Sequence, residues 1–261
     1  MIATHGTLQE REMQPESPEF DHLLHCVPDV ESATEAYTAA GLPAHANQPY
    51  LGFRNGAWRL DARYVEILTV VDRAEFTDSP FGQAMTAWMP HVDALLAAGG
   101  GALNFATHVT DVNATTERLR RAGHKVDLHV FAREGSPVSF TEAVLQEAPT
   151  WAPFFITYTP DRQVILDRYS SGRVARGPHD LAGFVIETPD PAASATWLGE
   201  LLGIPVDQAR NVVPLPGGEV HFTPGPADAI TTLLLTEGAP PSTSVAGLDL
   251  RPLGSVPPDT P

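Results

Sequence analysis

The chain has 261 residues and a mass of 28.0 kDa, the size of one large domain or two small ones. Its 32 acidic and 16 basic residues give a formal net charge of −16 at pH 7. This argues against nucleic acids and anionic membranes as partners, because both are polyanions. No apolar run approaches the roughly 18 residues of a membrane span. We expect a globular protein of the cytoplasm, with no secretory signal.

The two ends of the sequence have the composition of poorly ordered segments. Residues 1–17 are polar, and residues 239–261 are rich in proline. Such segments bury too little apolar surface to offset the entropy lost on ordering. We expect a disordered tail at each end. Alternatively, the C-terminal tail lies extended over the body, anchored by Leu248, Leu250 and Leu253.

Between the tails, three segments repeat one pattern at intervals of about 80 residues. Each reads as an apolar strand, an aspartate, an amphipathic helix and a glycine. The shared aspartate and glycine are, in chain order, Asp29 and Gly41, Asp111 and Gly123, and Asp190 and Gly203. Aspartate caps the first turn of a helix, and glycine adopts the left-handed conformation that ends one. The pattern therefore predicts three helices with known ends.

The segments after each helix read as strands separated by short turns. They are residues 50–60 and 63–71 in the first unit, 125–133, 139–147 and 152–159 in the second, and 211–216, 219–224 and 230–236 in the third. We therefore predict a β-α-β-β-β unit three times, at 18–76, 101–160 and 178–238. A linker with one or two short helices occupies 77–100.

The predicted fold is α+β, with paired units forming a curved, cup-shaped mixed sheet and the helices outside. A single helix leaves one sheet face bare, so two paired units join their sheets around a ligand pocket. Alternate strand residues would line this cup. The third unit has no partner. It either closes the sheet edge within its own chain or pairs with a second copy in a homodimer.

The paired units resemble the vicinal-oxygen-chelate superfamily of glyoxalase I, extradiol dioxygenases and fosfomycin and bleomycin resistance proteins. Within it, residues 21–159 resemble the glyoxalase-like domain proteins. The segments that carry the resemblance are DHLLHCVPDVESA, RNGAWRLDARYVEIL, TDVNATTERLRRAGH and APFFITY. The superfamily includes isomerases, lyases, oxygenases and proteins that only bind a ligand, so the resemblance implies the fold more strongly than a reaction.

The resemblance implies a metal site made by a histidine and a glutamate from each of two units. In the first unit, His22 and Glu66 stand at these positions. In the second unit the positions hold Asn104 and Thr157, which are poor ligands for a transition metal. His108 is expected on the same strand face as Asn104, at a displaced position. The cofactor prediction is therefore open between one divalent metal (Mn, Fe, Ni, Co or Zn) and none.

His22 and Glu66 have three interpretations. They form a metal pair, an acid–base pair in which the carboxylate orients the imidazole, or a buried structural hydrogen bond. Further substrate-binding candidates are Asn55, Tyr64, Asn104, His108, Thr157, Trp58 and Trp151. Cys26, the single cysteine, excludes an intrachain disulfide and reads as a buried hydrophobe.

Two functions of different classes follow. The first is an enzyme in which His22 and Glu66 move a proton or stabilise an enolate on an oxygen-rich or enolisable small molecule. Its reaction would be an isomerase, lyase or cyclase-like step. The second is a metal-free protein that binds and sequesters a drug-like ligand. The expected partner is a small molecule, with no nucleic acid and no membrane, and the chain is a monomer or homodimer.

Overall fold

The structure is a computed structural model that describes residues 16–170, 177–236 and 243–255. Most of the N-terminal tail predicted at 1–17, and residues 239–242 and 256–261 of the C-terminal tail, lie outside the described residues. No helix in the described ranges is long and apolar enough to cross a membrane.

The first unit contains four strands and one helix in the order β-α-β-β-β. They are β1 (Glu19–Cys26), α1 (Val30–Ala39), β2 (Ala44–Ala46), β3 (Phe53–Arg59) and β4 (Tyr64–Val70). Helix α1 begins where predicted, because the Asp29 side chain accepts a hydrogen bond from the backbone N–H of Ser32 at 2.8 Å. Strand β4 runs parallel to β1 and antiparallel to β3. Alternate side chains of β1, β3 and β4 therefore point to the same face of the sheet.

The second unit follows a helical linker and repeats this order. The linker contains α2 (Arg73–Asp78), α3 (Pro80–Ala84), a 3-10 turn (Thr86–Trp88) and α4 (Met89–Ala97). The unit contains β5 (Gly101–His108), α5 (Val112–Arg121), β6 (Val126–Ala132), β7 (Ser139–Leu145) and β8 (Phe154–Thr159). A short helix, α6 (Arg162–Ile165), continues into a wider turn (Leu166–Ser170). Strand β5 pairs antiparallel with β1, which joins the two units edge to edge.

The C-terminal part adds strands on the other side of β5. Its elements are β9 (Leu181–Thr188), α7 (Pro191–Leu202), β10 (Val212–Val213), β11 (Glu219–Pro224), β12 (Ala229–Leu235), β13 (Thr243–Val245), β14 (Leu248–Pro252) and a 3-10 turn (Leu253–Ser255). Helix α7 ends at Gly203, whose φ of 69° is left-handed, as predicted. Strand β12 reaches β5 through one residue pair, Ile230 with Ala102. All fourteen strands of the described residues thus belong to one sheet.

Strand β12 does not end the third unit as its sequence position suggested. It pairs antiparallel with β9, while β11 is the strand parallel to β9. Strand β14 is in turn parallel to β12 and antiparallel to β13. Strands β12 to β14 therefore repeat the pairing of β1, β4 and β3, and the third unit is paired within its own chain.

One core joins the two halves of the molecule. Phe184 of β9 lies 5.8 Å from the ring of Phe20 on β1 and 4.9 Å from that of Phe105 on β5. Leu248 and Leu250 of β14 are buried in the same core. The C-terminal segment therefore contributes strands to the body, although its boundary as a domain stays a prediction. The α+β fold with a cup-shaped mixed sheet is confirmed.

Candidate active site

A cavity of about 260 Å³ occupies the cup between the first two units. Strands β1, β3 and β4 form one arm, and β6, β7 and β8 form the other. Helices α2 and α3 and the following turn cover the mouth. Nine aromatic rings line the cavity: Phe53, Tyr64, Phe76, Phe81, Trp88, Phe131, Phe140, Phe154 and Tyr158. The walls are therefore mostly apolar, and the few polar groups stand out.

His22 enters the cavity from β1, and a buried carboxylate lies behind it. Its Nδ1 lies 2.7 Å from Oδ1 of Asp21. Asp21 also accepts hydrogen bonds from the Tyr158 hydroxyl at 2.8 Å and from Arg162 at 3.2 Å. Burial alone would raise the pKa of Asp21, but His22, Tyr158 and Arg162 outweigh this effect and hold the pKa below its ordinary value. Asp21 is therefore an ionised carboxylate that accepts hydrogen bonds and donates none.

This contact determines which nitrogen of His22 is available. Because the Asp21 carboxylate accepts a hydrogen bond, the neutral imidazole carries its proton on Nδ1 and leaves the lone pair on Nε2. Nε2 lies 3.8 Å from Oε2 of Glu66, too far for a direct hydrogen bond. The ring is stacked on Tyr64 with centroids 4.5 Å apart. His22 is thus held between Asp21 and Tyr64, with Nε2 on the side of Glu66.

Glu66 projects from β4. The side-chain amide of Asn55 orients it, and the amide of Asn47 in turn contacts Asn55. Nδ2 of Asn55 donates to Oε1 of Glu66 at 2.7 Å, and Oδ1 of Asn55 accepts from Asn47 at 3.0 Å. Since Asn55 binds Oε1, the other oxygen of Glu66, Oε2, is the one that faces His22. The structure therefore brings His22, Glu66, Asn55 and Tyr64 together, four of the residues predicted from sequence.

Glu142 on β7 is a third titratable group in the cavity, and the sequence reasoning missed it. Its carboxyl has no hydrogen-bond or ion-pair partner among the described residues. Burial first, and then the negative charges of Glu66 and Asp21, raise its pKa from 4.5 to about 8. At pH 7 Glu142 is mainly a neutral acid that donates a hydrogen bond. The available signal was a glutamate inside an apolar strand, SFTEAVLQE.

Five of the predicted substrate-binding residues do not line the cavity. Thr157 on β8 donates to the carbonyl of Val109, since it alternates with the cavity-facing Ile156 and Tyr158. The side-chain amide of Asn104 is buried without a partner in the described structure. Its strand is irregular there, because the pairing of β5 with β1 shifts register.

The other three lie in other surroundings. The ring of His108 is stacked at 6.3 Å on that of Tyr158, outside the lining. Trp58 is buried in the core on the helix side, because it alternates with the cavity-facing side chains of β3. Trp151 packs at 5.4 Å against Trp197 of α7 and at 5.2 Å against Phe222 of β11. It fills the junction between the two halves.

The donor atoms do not fit the metal site that the resemblance implies. Of the four positions, only those of His22 and Glu66 supply strong ligands to the cavity. Asn104 does not reach it, and the Thr157 hydroxyl is committed to the backbone. No group of three or more histidine, cysteine, aspartate or glutamate residues in the described ranges is arranged to hold a metal ion. Two ligands are too few for a tight transition-metal site.

Two further titratable side chains near the cup have structural surroundings. Burial, with a smaller effect of Glu66, raises the pKa of Cys26 to about 12, so its thiol is unreactive. Burial also lowers the pKa of His25 to about 4, while its ring nitrogens contact the Tyr37 hydroxyl and the carbonyl of Ala246. His25 therefore connects β1 to α1 and to the turn before β14.

Comparisons with known proteins agree with this architecture. A family model described as "Glyoxalase-like domain" matches residues 20–202. No curated protein matches the sequence. A hypothetical protein from Staphylococcus aureus superposes with a TM-score of 0.72 at 12% identity, covering 89% of this chain and 97% of the other.

Two enzymes of known name share the fold more distantly. The Mn(II)-bound glyoxalase from Novosphingobium aromaticivorans has a TM-score of 0.50 at 12% identity, over 84% of this chain and 65% of the other. A mutant of 4-hydroxymandelate synthase from Streptomyces coelicolor also has a TM-score of 0.50 at 12% identity, over 85% and 71%. Identities this low show a shared fold alone.

Proposed function

The chain belongs to the Glyoxalase-like domain family, and we propose that it is an enzyme that moves a proton next to a carbonyl group in a small molecule. An isomerase or a lyase performs such a step. The observation that carries the proposal is the pairing of a base with a neutral acid in one apolar cavity. His22 presents a free Nε2, and Glu142 is mainly protonated at neutral pH.

His22 acts as the general base. Its Nε2 takes a proton from the carbon beside the carbonyl, and the imidazolium that forms lies between the carboxylates of Asp21 and Glu66. Two carboxylates stabilise this cation, and the one on Asp21 is buried. Asn55 keeps Glu66 in position for this role. Asp21 and Asn55 are therefore positioning residues.

Glu142 acts as the general acid. As the carbon loses its proton, negative charge develops on the carbonyl oxygen, and a neutral carboxyl donates a hydrogen bond or its proton to that oxygen. The product of this step is an enol. Return of the proton to a different carbon, or to the opposite face, gives an isomer, while departure of a neighbouring group gives a lyase product. No step passes through a metal, since the donor set does not fit one.

The test is deuterium exchange at carbon. The protein is incubated in D₂O with 2-tetralone, 1-indanone or acetophenone, and loss of the proton signal beside the carbonyl is followed by NMR. We expect exchange above the buffer rate for at least one ketone. We expect a loss of about 100-fold or more in His22→Gln, because general base catalysis contributes about 10²–10⁴-fold.

The controls separate proton transfer from folding and from metal chemistry. His124→Gln alters a histidine that packs beside Trp197 outside the cavity and should exchange like the wild type. Treatment with a chelator, checked by elemental analysis, should leave the rate unchanged. Equal rates in His22→Gln and the wild type, or no exchange for any ketone, would contradict the proposal. Binding without exchange would favour the sequestering function instead.

A further inference from the structure

The cavity lining carries no permanent positive charge. His22, Glu66 and Glu142 are its titratable acid and base side chains, and no lysine or arginine lines it. The nearby arginines are engaged elsewhere: Arg162 contacts Asp21 and Glu19, and Arg59 lies 4.1 Å over the ring of Tyr64. A carboxylate or phosphate group in the cavity would therefore lack a lysine or arginine partner.

An anionic ligand would instead meet like charge. Glu66 lies on one arm of the cup and Glu142 on the other, and they are close enough for Glu66 to raise the pKa of Glu142. Asp21 lies behind His22 and acts in the same direction. Like charges in a site of low dielectric repel strongly, and a desolvated anion without a partner binds poorly. The cavity electrostatics therefore disfavour acids.

The unpartnered carboxyl of Glu142 fits an oxygen acceptor. At neutral pH it is mainly a donor without an acceptor among the described residues. A carbonyl oxygen satisfies this donor without adding charge. An ammonium group has less to gain, because Glu142 would first release its proton and Glu66 is already held by Asn55 at 2.7 Å.

The walls and the volume point to a ring system. Aromatic side chains surround the cavity on both arms and on the lid, where Phe81 lies 5.0 Å from both Phe53 and Phe131. Aromatic rings prefer such edge and offset contacts with one another. An apolar cavity of about 150 Å³ binds benzene. This cavity, at about 260 Å³, accommodates a larger molecule, such as a substituted ring or two fused rings.

We propose that the substrate is an uncharged ketone with an aromatic ring system and a hydrogen on the carbon beside its carbonyl group, with the rings against the aromatic walls and the carbonyl oxygen at Glu142. This substrate class rests on the proposed function, because the carbon beside the carbonyl must lose its proton to His22. Glu66 then has a second role as a specificity residue that rejects acids.

Three probes of one shape test the class by binding alone. Isothermal titration at pH 7 compares 2-acetylnaphthalene, 2-naphthoate and 2-naphthylmethylammonium. We expect the ketone to bind most tightly and the carboxylate to bind about 100-fold more weakly, because like-charge contact carries a penalty of this order or more. Tightest binding of the carboxylate or the ammonium, or binding of none of the probes, would overturn the substrate class.

A variant identifies the origin of the discrimination. Glu66→Gln keeps the size of the side chain and removes its charge. It should improve binding of 2-naphthoate about tenfold or more and leave ketone binding within about threefold. Glu134→Gln, an exposed glutamate after β6, is the matched control. An unchanged preference in Glu66→Gln would show that Glu66 does not reject acids.

The two proposals fail separately in these experiments. The titration needs no proton transfer, so tight ketone binding without deuterium exchange would remove the proposed function and keep the ligand class. Deuterium exchange of a ketone together with tighter binding of the carboxylate would support the proposed function and remove the proposed ligand class.

Discussion

Asp21 and His22 are neighbours in sequence and contact each other through their side chains. Successive residues of a regular strand point to opposite faces. Here the pairing of β1 with β5 shifts register between Phe20 and His22. This irregularity allows a buried aspartate to lie behind a cavity-facing histidine. In the proposed function, Asp21 is the residue that orients the His22 ring through Nδ1.

We predict that Asp21→Asn slows deuterium exchange by about 100-fold or more, since an amide can also present its N–H to Nδ1 and favour the other tautomer of His22. Nitrogen-15 NMR of the ring reads the tautomer directly. The wild type should carry the proton on Nδ1, and the variant should carry it partly or wholly on Nε2. Unchanged ring signals with reduced exchange would indicate a structural defect and contradict the positioning role.

Glu142 should make stability depend on pH. Its pKa is raised from 4.5 to about 8 in the folded chain, so the folded state holds a proton that the unfolded state releases. The stability from this protonation is complete below about pH 4 and is lost as the pH rises through 8. Urea unfolding between pH 5 and 8.5 should show a decline on the order of 3 kcal/mol that Glu142→Gln lacks. If the free energy of unfolding depended on pH in the same way in the wild type and in Glu142→Gln, the raised pKa of Glu142 would be contradicted.

The sequence singled out His22 and Glu66 because they stand at the first-strand and last-strand positions of a unit that resembles the family, and the structure places both side chains in the cavity lining. Their roles stay predictions. Glu142 was missed because the family position in the second unit falls on β8, at Thr157. Which residues of β7 and β8 face the cup depends on strand register, and no local sequence signal fixes that.

At the scale of elements, the linker between the first two units forms the lid of the cavity. Phe81 of α3 stacks at 5.0 Å on Phe131 of the second unit and lies 5.0 Å from Phe53 of the first. Serine at position 79 caps α3 through a hydrogen bond to the N–H of Gly82. The lid therefore bridges both arms of the cup, a role that its helical pattern alone did not reveal.

We predict that Phe81→Ala weakens binding of 2-acetylnaphthalene about tenfold, mainly by faster dissociation, because the variant opens the apolar cover of the cavity. Stopped-flow fluorescence of Trp88, which lines the cavity, measures the rate. Val71→Ala, an exposed position outside the lining, is the control. An unchanged dissociation rate in Phe81→Ala would contradict the role of the lid.

At the scale of the whole molecule, four strand units lie in one sheet, and three of them contain a helix among the described residues. The three helical units were predicted from the aspartate–helix–glycine pattern. The last one, β12 to β14, lacks that pattern, because the sequence between β12 and β13 contains no aspartate to mark the start of a helix. Its sequence was divided between the third unit and a tail, and only the buried leucines at 248 and 250 signalled otherwise.

We predict that Leu250→Ala lowers the free energy of unfolding by about 2–5 kcal/mol, the usual cost of removing a buried leucine side chain. Leu250 is 1% exposed and belongs to the core that joins the halves. Arg251→Ala, a partly exposed neighbour on the same strand, should change stability by less than about 1 kcal/mol. Equal and small effects of both substitutions in urea unfolding would show that β14 is not part of the core.

Both proposals require a neutral carboxyl on Glu142 in the same cavity as Nε2 of His22. Carbon-13 NMR of the glutamate side-chain carboxyls, with Glu142→Gln to assign the signal, measures its protonation directly. We expect this carboxyl to remain protonated at pH 7 and to titrate near pH 8. Titration of Glu142 near pH 4.5 would contradict both the general acid and the uncharged substrate.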